Sequence, residues 1–300
     1  MSHIPCMSNV ALLGTGHLGT AIGQRLLQQG VGLHVWNRTA DHSHELIQNG
    51  ANAIHHLHDL PQTCQQIIAV LRDGPVTKRI VEHLGSLRNA CVIPMGTMGI
   101  RESKELAQQV IQQQGTYLEA PVLGSKPQAL NGTLLVMAGG ETDAFNEQHG
   151  LLTHLCEQPI HMGPVGSGAA TKLALNQLIA SLTHAFSVSL RLIQQSEVDV
   201  ETFMQILRSS ALYAPTFDKK LQRMLDAHYS DPNFSTALLR KDLDLFLNEA
   251  ITANIHAKGL NSLMELLKES KGSSLDEMDY CSLHELTRSD SSQSIKRQDP

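Results

Sequence analysis

Val10-Ala11-Leu12-Leu13-Gly14-Thr15-Gly16-His17-Leu18-Gly19 decides the fold of this chain, together with the apolar-periodic stretch to Gln29, Gly30 and the run from Leu33 to Trp36. The order is strand, glycine turn, helix, turn, strand, which is one βαβ unit. Gly14 allows the tight turn, Gly16 lets the backbone approach a pyrophosphate, and Gly19 lets the helix pack closely on the strand. The pyrophosphate of a dinucleotide then meets the N–H groups around His17 and Leu18 and the positive end of the helix dipole. A glycine fingerprint alone is weak, but set between a strand and a helix it predicts a dinucleotide site.

The end of the second strand selects the dinucleotide. NAD sites usually place an acidic residue there, on the ribose 2′-hydroxyl. Here the position holds Asn37-Arg38-Thr39, with no carboxylate until Asp41. An acid would repel a 2′-phosphate, whereas a guanidinium binds it through a charge-assisted fork and a threonine hydroxyl adds a donor. The expected cofactor is NADP(H), with Gly14, Gly16, His17, Leu18, Gly19, Asn37, Arg38 and Thr39 around it.

With 300 residues the chain exceeds what one modest core needs, so two domains are expected. A net charge of −6 gives no support for nucleic acid or an anionic membrane as a partner. No apolar run suggests a membrane span, and residues 1–8 lack the pattern of a signal peptide. Cys6, Cys64, Cys91, Cys156 and Cys281 are odd in number and never in CxxC spacing, which predicts reduced thiols in a cytoplasmic protein rather than disulfides or zinc. His42, His44, His55, His56 and His58 crowd the region of the third strand, but no ligand spacing completes them, so they read as solvated and no metal is expected.

The N-terminal half alternates strand and helix, predicting a Rossmann-type doubly wound parallel sheet. After the first βαβ, strands are expected at 51–54, 65–70, 90–93, 116–119, 134–138 and 160–162, with helices at 76–84, 100–113 and 142–155. The pattern changes at Gly163-Pro164-Val165-Gly166-Ser167-Gly168, read as a domain joint. Beyond it a long helix covers 169–195, followed by helices at 201–209, 215–227, 236–257 and 259–271. The expected organisation is a cofactor domain over 1–164, an all-α domain over 165–287 joined by the long helix, and a polar, disordered tail over 288–300.

Hydride transfer to a carbonyl also requires a proton donor at the oxygen. Lys172, in the first turns of the long helix, is the candidate, and Asn176 projects from the same face four residues on. Neighbouring Ala and Leu would partly desolvate the ammonium and favour proton transfer. The spacing equally fits an ordinary lysine near a helix start. Glu119-Ala120-Pro121-Val122-Leu123-Gly124-Ser125-Lys126-Pro127 follows a strand end, where open α/β sheets place their ligand crevice. Gly124 and Ser125 offer donors to a substrate carboxylate, although a plain turn has the same pattern. Thr97, in Pro94-Met95-Gly96-Thr97-Met98-Gly99, is a hydroxyl that could border the nicotinamide. Lys241-Asp242, inside a Leu-rich helix, is either a surface edge or a lysine reaching back to the cofactor.

Together these segments resemble the β-hydroxyacid dehydrogenase family, relatives of 6-phosphogluconate and 3-hydroxyisobutyrate dehydrogenases, and most nearly its glyoxylate and succinic semialdehyde reductase branch. The resemblance runs from about Asn9 to Glu285. It implies that Glu119 to Gly124 is the substrate motif, continued by Ser125, Lys126, Pro127 and Gly132. It also places the catalytic lysine on Lys172 with Asn176, and a cofactor-directed lysine on Lys241. Three positions depart from the family pattern. The substrate-motif serine is Leu123, the serine before Thr97 is Gly96, and the asparagine often following Asn176 is Gln177. Leu123 makes that wall more apolar and loosens the link to a small carboxylate substrate.

The expected activity is NADPH-dependent reduction of a small aldehyde or keto acid, with hydride from NADPH and a proton from Lys172. The alternatives are an imine reductase, against which Lys172 argues, and a non-catalytic NADP-binding scaffold. The long apolar helix is too large for one small domain to cover, so a homodimer is expected, as in the family.

Overall fold

The computed structural model describes residues 9–288, and the expected tail lies almost wholly outside them. Two compact units divide between Ala174 and Leu175, inside the long helix and ten residues beyond the position expected from the glycines.

The first unit is built on a mixed nine-stranded sheet. Its strands are β1 (Asn9–Leu13), β2 (Gly32–Trp36), β3 (Asn52–Ala53), β4 (Cys64–Ala69), β5 (Cys91–Pro94), β6 (Thr116–Glu119), β7 (Val122–Leu123), β8 (Leu135–Gly140) and β9 (Ile160–Gly163). They lie in the order β3-β2-β1-β4-β5-β6-β8-β7, with β9 beside β8. The six strands from β3 to β6 run parallel, in the dinucleotide-binding order. The reversal of direction on either side of β1 gives this sheet its ligand crevice. The expected parallel series stops there, because β8 is antiparallel to both β6 and β7.

Val10 to Leu13 are wholly buried, as a central parallel strand must be. Val10 and Leu12 enter one core and Ala11 and Leu13 the other, the period-two alternation of a strand covered on both faces. Helices α1 (His17–Gln28), α2 (His44–Gln48), α3 (Gly74–Glu82), α4 (Ile100–Gln112), α5 (Lys126–Asn131) and α6 (Thr142–Leu152) occupy the connections. β7, α2 and α5 went unpredicted. Two residues carry no alternation, and Pro127 reads as a breaker unless it sits in a first helical turn, as here.

α7 (Ser167–Gln195) leads into the second unit, which holds α8 (Val200–Ser209), α9 (Pro215–Leu225), α10 (Thr236–Thr252), α11 (Lys258–Lys268) and α12 (Leu283–Leu286). α10 ends five residues short of the expected 257. Asn254 takes a left-handed conformation and the Ile255 N–H returns to the Ala250 carbonyl, closing the helix. Contrary to the sequence expectation, α7 is long and apolar enough to cross a membrane by composition alone. Ala180, Phe186 and Leu190 nevertheless enter the two cores of the second unit.

Candidate functional site

The glycine turn performs three separate tasks, each visible in its surroundings. Gly14 has φ +97°, which side-chain-bearing residues rarely adopt, and a Cβ there would collide with the Val70 carbonyl. A Cβ on Gly19 would collide with the Gly14 carbonyl, so the helix seats itself on the turn only because both are glycine. Gly16 is the opposite case: nothing lies within 4 Å of its missing Cβ. α1 has no side-chain cap, so its first N–H groups and dipole face this open space. The residues therefore fit a pyrophosphate: a cradle that a side chain at position 16 would fill. Leu71 continues the floor, touching the space above Gly14 through its side chain and that above Gly96 through its carbonyl. Gly96 thus departs from the family serine because the carbonyl occupies the place of its Cβ.

The Asn37 amide is a fastener rather than a free ligand. Its Oδ1 accepts from the Thr15 N–H at 3.1 Å and its Nδ2 donates to the Thr39 carbonyl at 2.9 Å, pinning the glycine turn to the end of β2. Thr15 Oγ1 and Ser43 Oγ, 3.2 Å apart, add a second tie. Neither was singled out from the sequence. Arg38 and Thr39 are exposed, as are His17 and Gly16, while Leu18 is half-buried. A cavity of about 500 Å³ adjoins Asn37 and Arg38, and His44, His55, His56, His58 and His83 line it. The sequence read the first four of these histidines as part of a solvated cluster, and His83 not at all. Only the fold brings residues up to 45 positions from Arg38 to one cavity beside it.

Toward the opposite edge of the sheet the substrate motif is more committed than expected. The Ser125 N–H and hydroxyl both donate to Gln128 Oε1, at 3.0 and 2.7 Å, closing the first turn of α5. Ser125 is therefore corrected from an open donor to a helix cap in this structure. Leu123 is half-buried in β7, paired with Leu135, and Gly124 is exposed at φ +133°. Thr97 is half-buried between β5 and α4, where Glu102 accepts the Gly99 N–H at 2.8 Å.

Glu119, quoted in the motif but given no task of its own, is a buried carboxylate that accepts four hydrogen bonds. Its Oε1 accepts the N–H groups of Gly166 (2.9 Å), Gly168 (2.7 Å) and Ala169 (3.2 Å), at the start of α7. Its Oε2 accepts the Ser103 hydroxyl, which lies 2.7 Å from Tyr117 Oη. Burial pushes the Glu119 carboxyl up, while Ser103 and the three N–H groups pull it back.

Lys172 and Asn176 occupy one face of α7, one turn apart, with Lys172 half-buried and Asn176 buried. Asn176 Nδ2 donates to Asp242 Oδ2 at 2.5 Å, and Asp242 Oδ1 lies 2.6 Å from Lys241 Nζ. Asn176 Oδ1 is buried with no hydrogen-bond partner among the described residues. The structure so joins Asn176, Lys241 and Asp242 in the second unit. The sequence noted the charged pair, but a contact across 66 positions leaves no mark in spacing. Lys241 is a partner of Asp242, not a surface charge.

Two family models match. The NAD binding domain of 6-phosphogluconate dehydrogenase matches residues 9–163, and the NAD-binding region of NADP-dependent 3-hydroxyisobutyrate dehydrogenase matches 166–287. The chain belongs to the β-hydroxyacid dehydrogenase family. Family members are NAD(P)-dependent enzymes acting on CH–OH groups. Glyoxylate/succinic semialdehyde reductase 1 of Arabidopsis thaliana is 28% identical over 93% of this chain and 98% of its own length. The nuclear factor N-PAC of Xenopus tropicalis is 27% identical over 92% of this chain, which spans about half (52%) of that relative. The solved 3-hydroxyisobutyrate dehydrogenase of Mycobacterium tuberculosis, with L-serine, superposes with a TM-score of 0.85 at 18% identity, over 94% of this chain and all of that one.

Proposed function

We propose that this β-hydroxyacid dehydrogenase is an NADPH-dependent reductase of a small aldehyde or keto acid. The observation that carries the reading is the joint presence, in one unit, of an open Gly16 cradle, an acid-free Asn37-Arg38-Thr39 and Lys172 on α7. When bound, NADPH would supply the hydride. The N–H groups at the start of α1 hold its pyrophosphate, and Arg38 and Thr39 hold its 2′-phosphate. Lys172 gives a proton to the substrate oxygen as negative charge develops there. The resemblance assigns Asn176 to the same chemistry, and within the second unit Asp242 holds its Nδ2. Thr97 and Gly124 border the substrate, and Lys241 is assigned to the cofactor by the resemblance.

The relatives' names suggest the first substrates to try. NADPH absorbance followed with glyoxylate, succinic semialdehyde and a panel of less polar aldehydes tests the reading; absence of turnover across the panel would overturn it. Imine reduction is the second reading, favoured only by apolar Leu123, and cyclic imines in the same panel distinguish it.

We also propose a homodimer in the cytoplasm. Along α7, Ala174, Leu178, Ser181, Ala185, Val188 and Leu192 repeat at alternating spacings of four and three, the spacing of a helix-pairing seam. Leu178, Val188 and Leu192 are about half or more exposed (50, 48 and 67%), which supports a second copy covering them. Leu192→Glu is expected to shift sedimentation to the monomer; a monomeric wild type refutes the dimer. Among the described residues four buried free cysteines support the reducing compartment.

A further inference from the structure

Gly163 to Gly168 read as a domain joint in the sequence, and the structure gives Gly166 and Gly168 a further reason. A Cβ on Gly168 would press on the Met137 carbonyl at 2.5 Å and on Glu119 Oε1 at 3.1 Å. A Cβ on Gly139, in β8, would collide with Glu119 Oε1 itself. Gly166 adopts φ +101° with its N–H turned onto the same oxygen. Gly139 and Gly168 thus clear space around one buried carboxylate, which is 2% exposed, and Gly166 supplies it with an N–H.

That carboxylate joins the two halves of the proposed chemistry. It ends β6, immediately before the motif that runs through Leu123 to Ser125. It also takes up three of the N–H groups that the first turn of α7 cannot satisfy internally. Lys172 stands one turn beyond Gly168 on the same face, and helical side chains lean toward the N-terminus, over that turn. Pro121 lies 3.3 Å from where a Gly168 Cβ would stand, so this face of α7 meets the substrate motif. We propose that Glu119 is a positioning residue: by clamping the start of α7 to the end of β6, it fixes the direction of Lys172 relative to the substrate loop. Ser103 and Tyr117 hold the carboxylate from behind. With Ser103 donating to Glu119, the Tyr117 hydroxyl donates to Ser103, and the chain of donors has one consistent direction.

The inference rests on Lys172 being the proton donor, so its test has a branch that needs no turnover. Glu119→Gln keeps an oxygen for the three N–H groups and an amide for Ser103, whose hydroxyl then turns to Tyr117. Glu119→Ala leaves the N–H groups unanswered, and Glu119→Asp withdraws the carboxylate by one methylene. With NADPH and glyoxylate or succinic semialdehyde, Glu119→Ala is expected to lose about 10- to 100-fold in kcat, as small misplacements of a catalytic group do. NADPH affinity, read by fluorescence, should stay within about twofold, because α1 is untouched. Glu119→Gln should recover most of the rate, and Glu119→Asp should lose about tenfold. A folded Glu119→Ala or Glu119→Asp enzyme with kcat within twofold of wild type overturns the proposal, as does an equal loss in NADPH affinity. If the wild type reduces no aldehyde of the panel, the reductase reading fails separately. Hydrogen exchange of the amides from 166 to 173 then decides: selective loss of protection in Glu119→Asp, retained in Glu119→Gln, sustains the clamp, and unchanged exchange overturns it.

Discussion

α1 and α7 both begin at glycine-rich turns in the same unit, yet their ends are treated in opposite ways. At α1 the space over Gly16 is empty and no side chain caps the turn. At α7 a buried carboxylate has already taken the N–H groups of Gly166, Gly168 and Ala169. An uncapped helix start is an invitation to an anion from outside, whereas a filled one is a mechanical anchor. Equivalent backbone chemistry so yields a binding device in one place and a positioning device in the other.

The largest effect expected from this division is at Lys172. Lys172→Ala should lower kcat by about 10²- to 10⁴-fold, the usual worth of a positioned proton donor. NADPH affinity should be unchanged, because the anion site belongs to α1. Steady-state kinetics with a substrate from the panel, paired with a direct NADPH titration, checks both halves. A kcat within a few-fold of wild type would remove Lys172 from the chemistry.

Next come two glycines three residues apart. Gly19→Ala forces a Cβ into the Gly14 carbonyl and should cost about 3 kcal/mol of stability. Gly16→Ala meets open space at φ −70° and should leave stability within about 1 kcal/mol of wild type. It should nevertheless weaken NADPH binding by at least about tenfold, since the methyl group occupies the approach to the N–H groups. Urea melts and NADPH titrations of both variants would show the contrast; equal stability losses would mean the space at Gly16 is not a ligand's.

Arg38→Ala tests the other end of the same cofactor. Removing a charge-assisted fork should cost about 1.5–3 kcal/mol of NADPH binding, while NADH, lacking the 2′-phosphate, should be barely affected. Comparable kcat/KM for the two cofactors in the wild type would sink the NADPH assignment.

The same contrast explains what could be read from the sequence. The glycines around α1 were readable because their constraints are local: a turn, a strand before it and a helix after it within twenty residues. Those around α7 were read only as a joint, since their partner, Glu119, lies 47 or more positions away. Lys172 and Asn176 were found through helical spacing, but Asp242, which fixes Asn176, has no local signature. Ser125 failed differently. Its donors were correctly recognised as donors, and Gln128 three residues on, a helix-capping arrangement, was overlooked. The reversal of β8 escaped because alternation marks a strand without giving its direction.

The second unit supplies a third kind of buried polar group, one that nothing answers. His284 is fully buried, and neither ring nitrogen has a partner among the described residues. Burial holds its imidazole well below the ordinary 6.5, at about 4, with Arg191 adding to the shift. Between those values the unfolded chain takes up a proton that the folded chain refuses. The stability linked to His284 is therefore complete above about pH 6.5, falls as the pH drops through that window, and levels off below about pH 4. Lowering the pH from 7.5 to 5.0 should cost about 2 kcal/mol through this one group. In His284→Met, which has nothing to titrate and no nitrogen to leave unpaired, the acid loss should shrink by about that amount. Urea midpoints of both proteins at the two pH values measure it. Equal acid losses would mean that the His284 nitrogens are answered in solution.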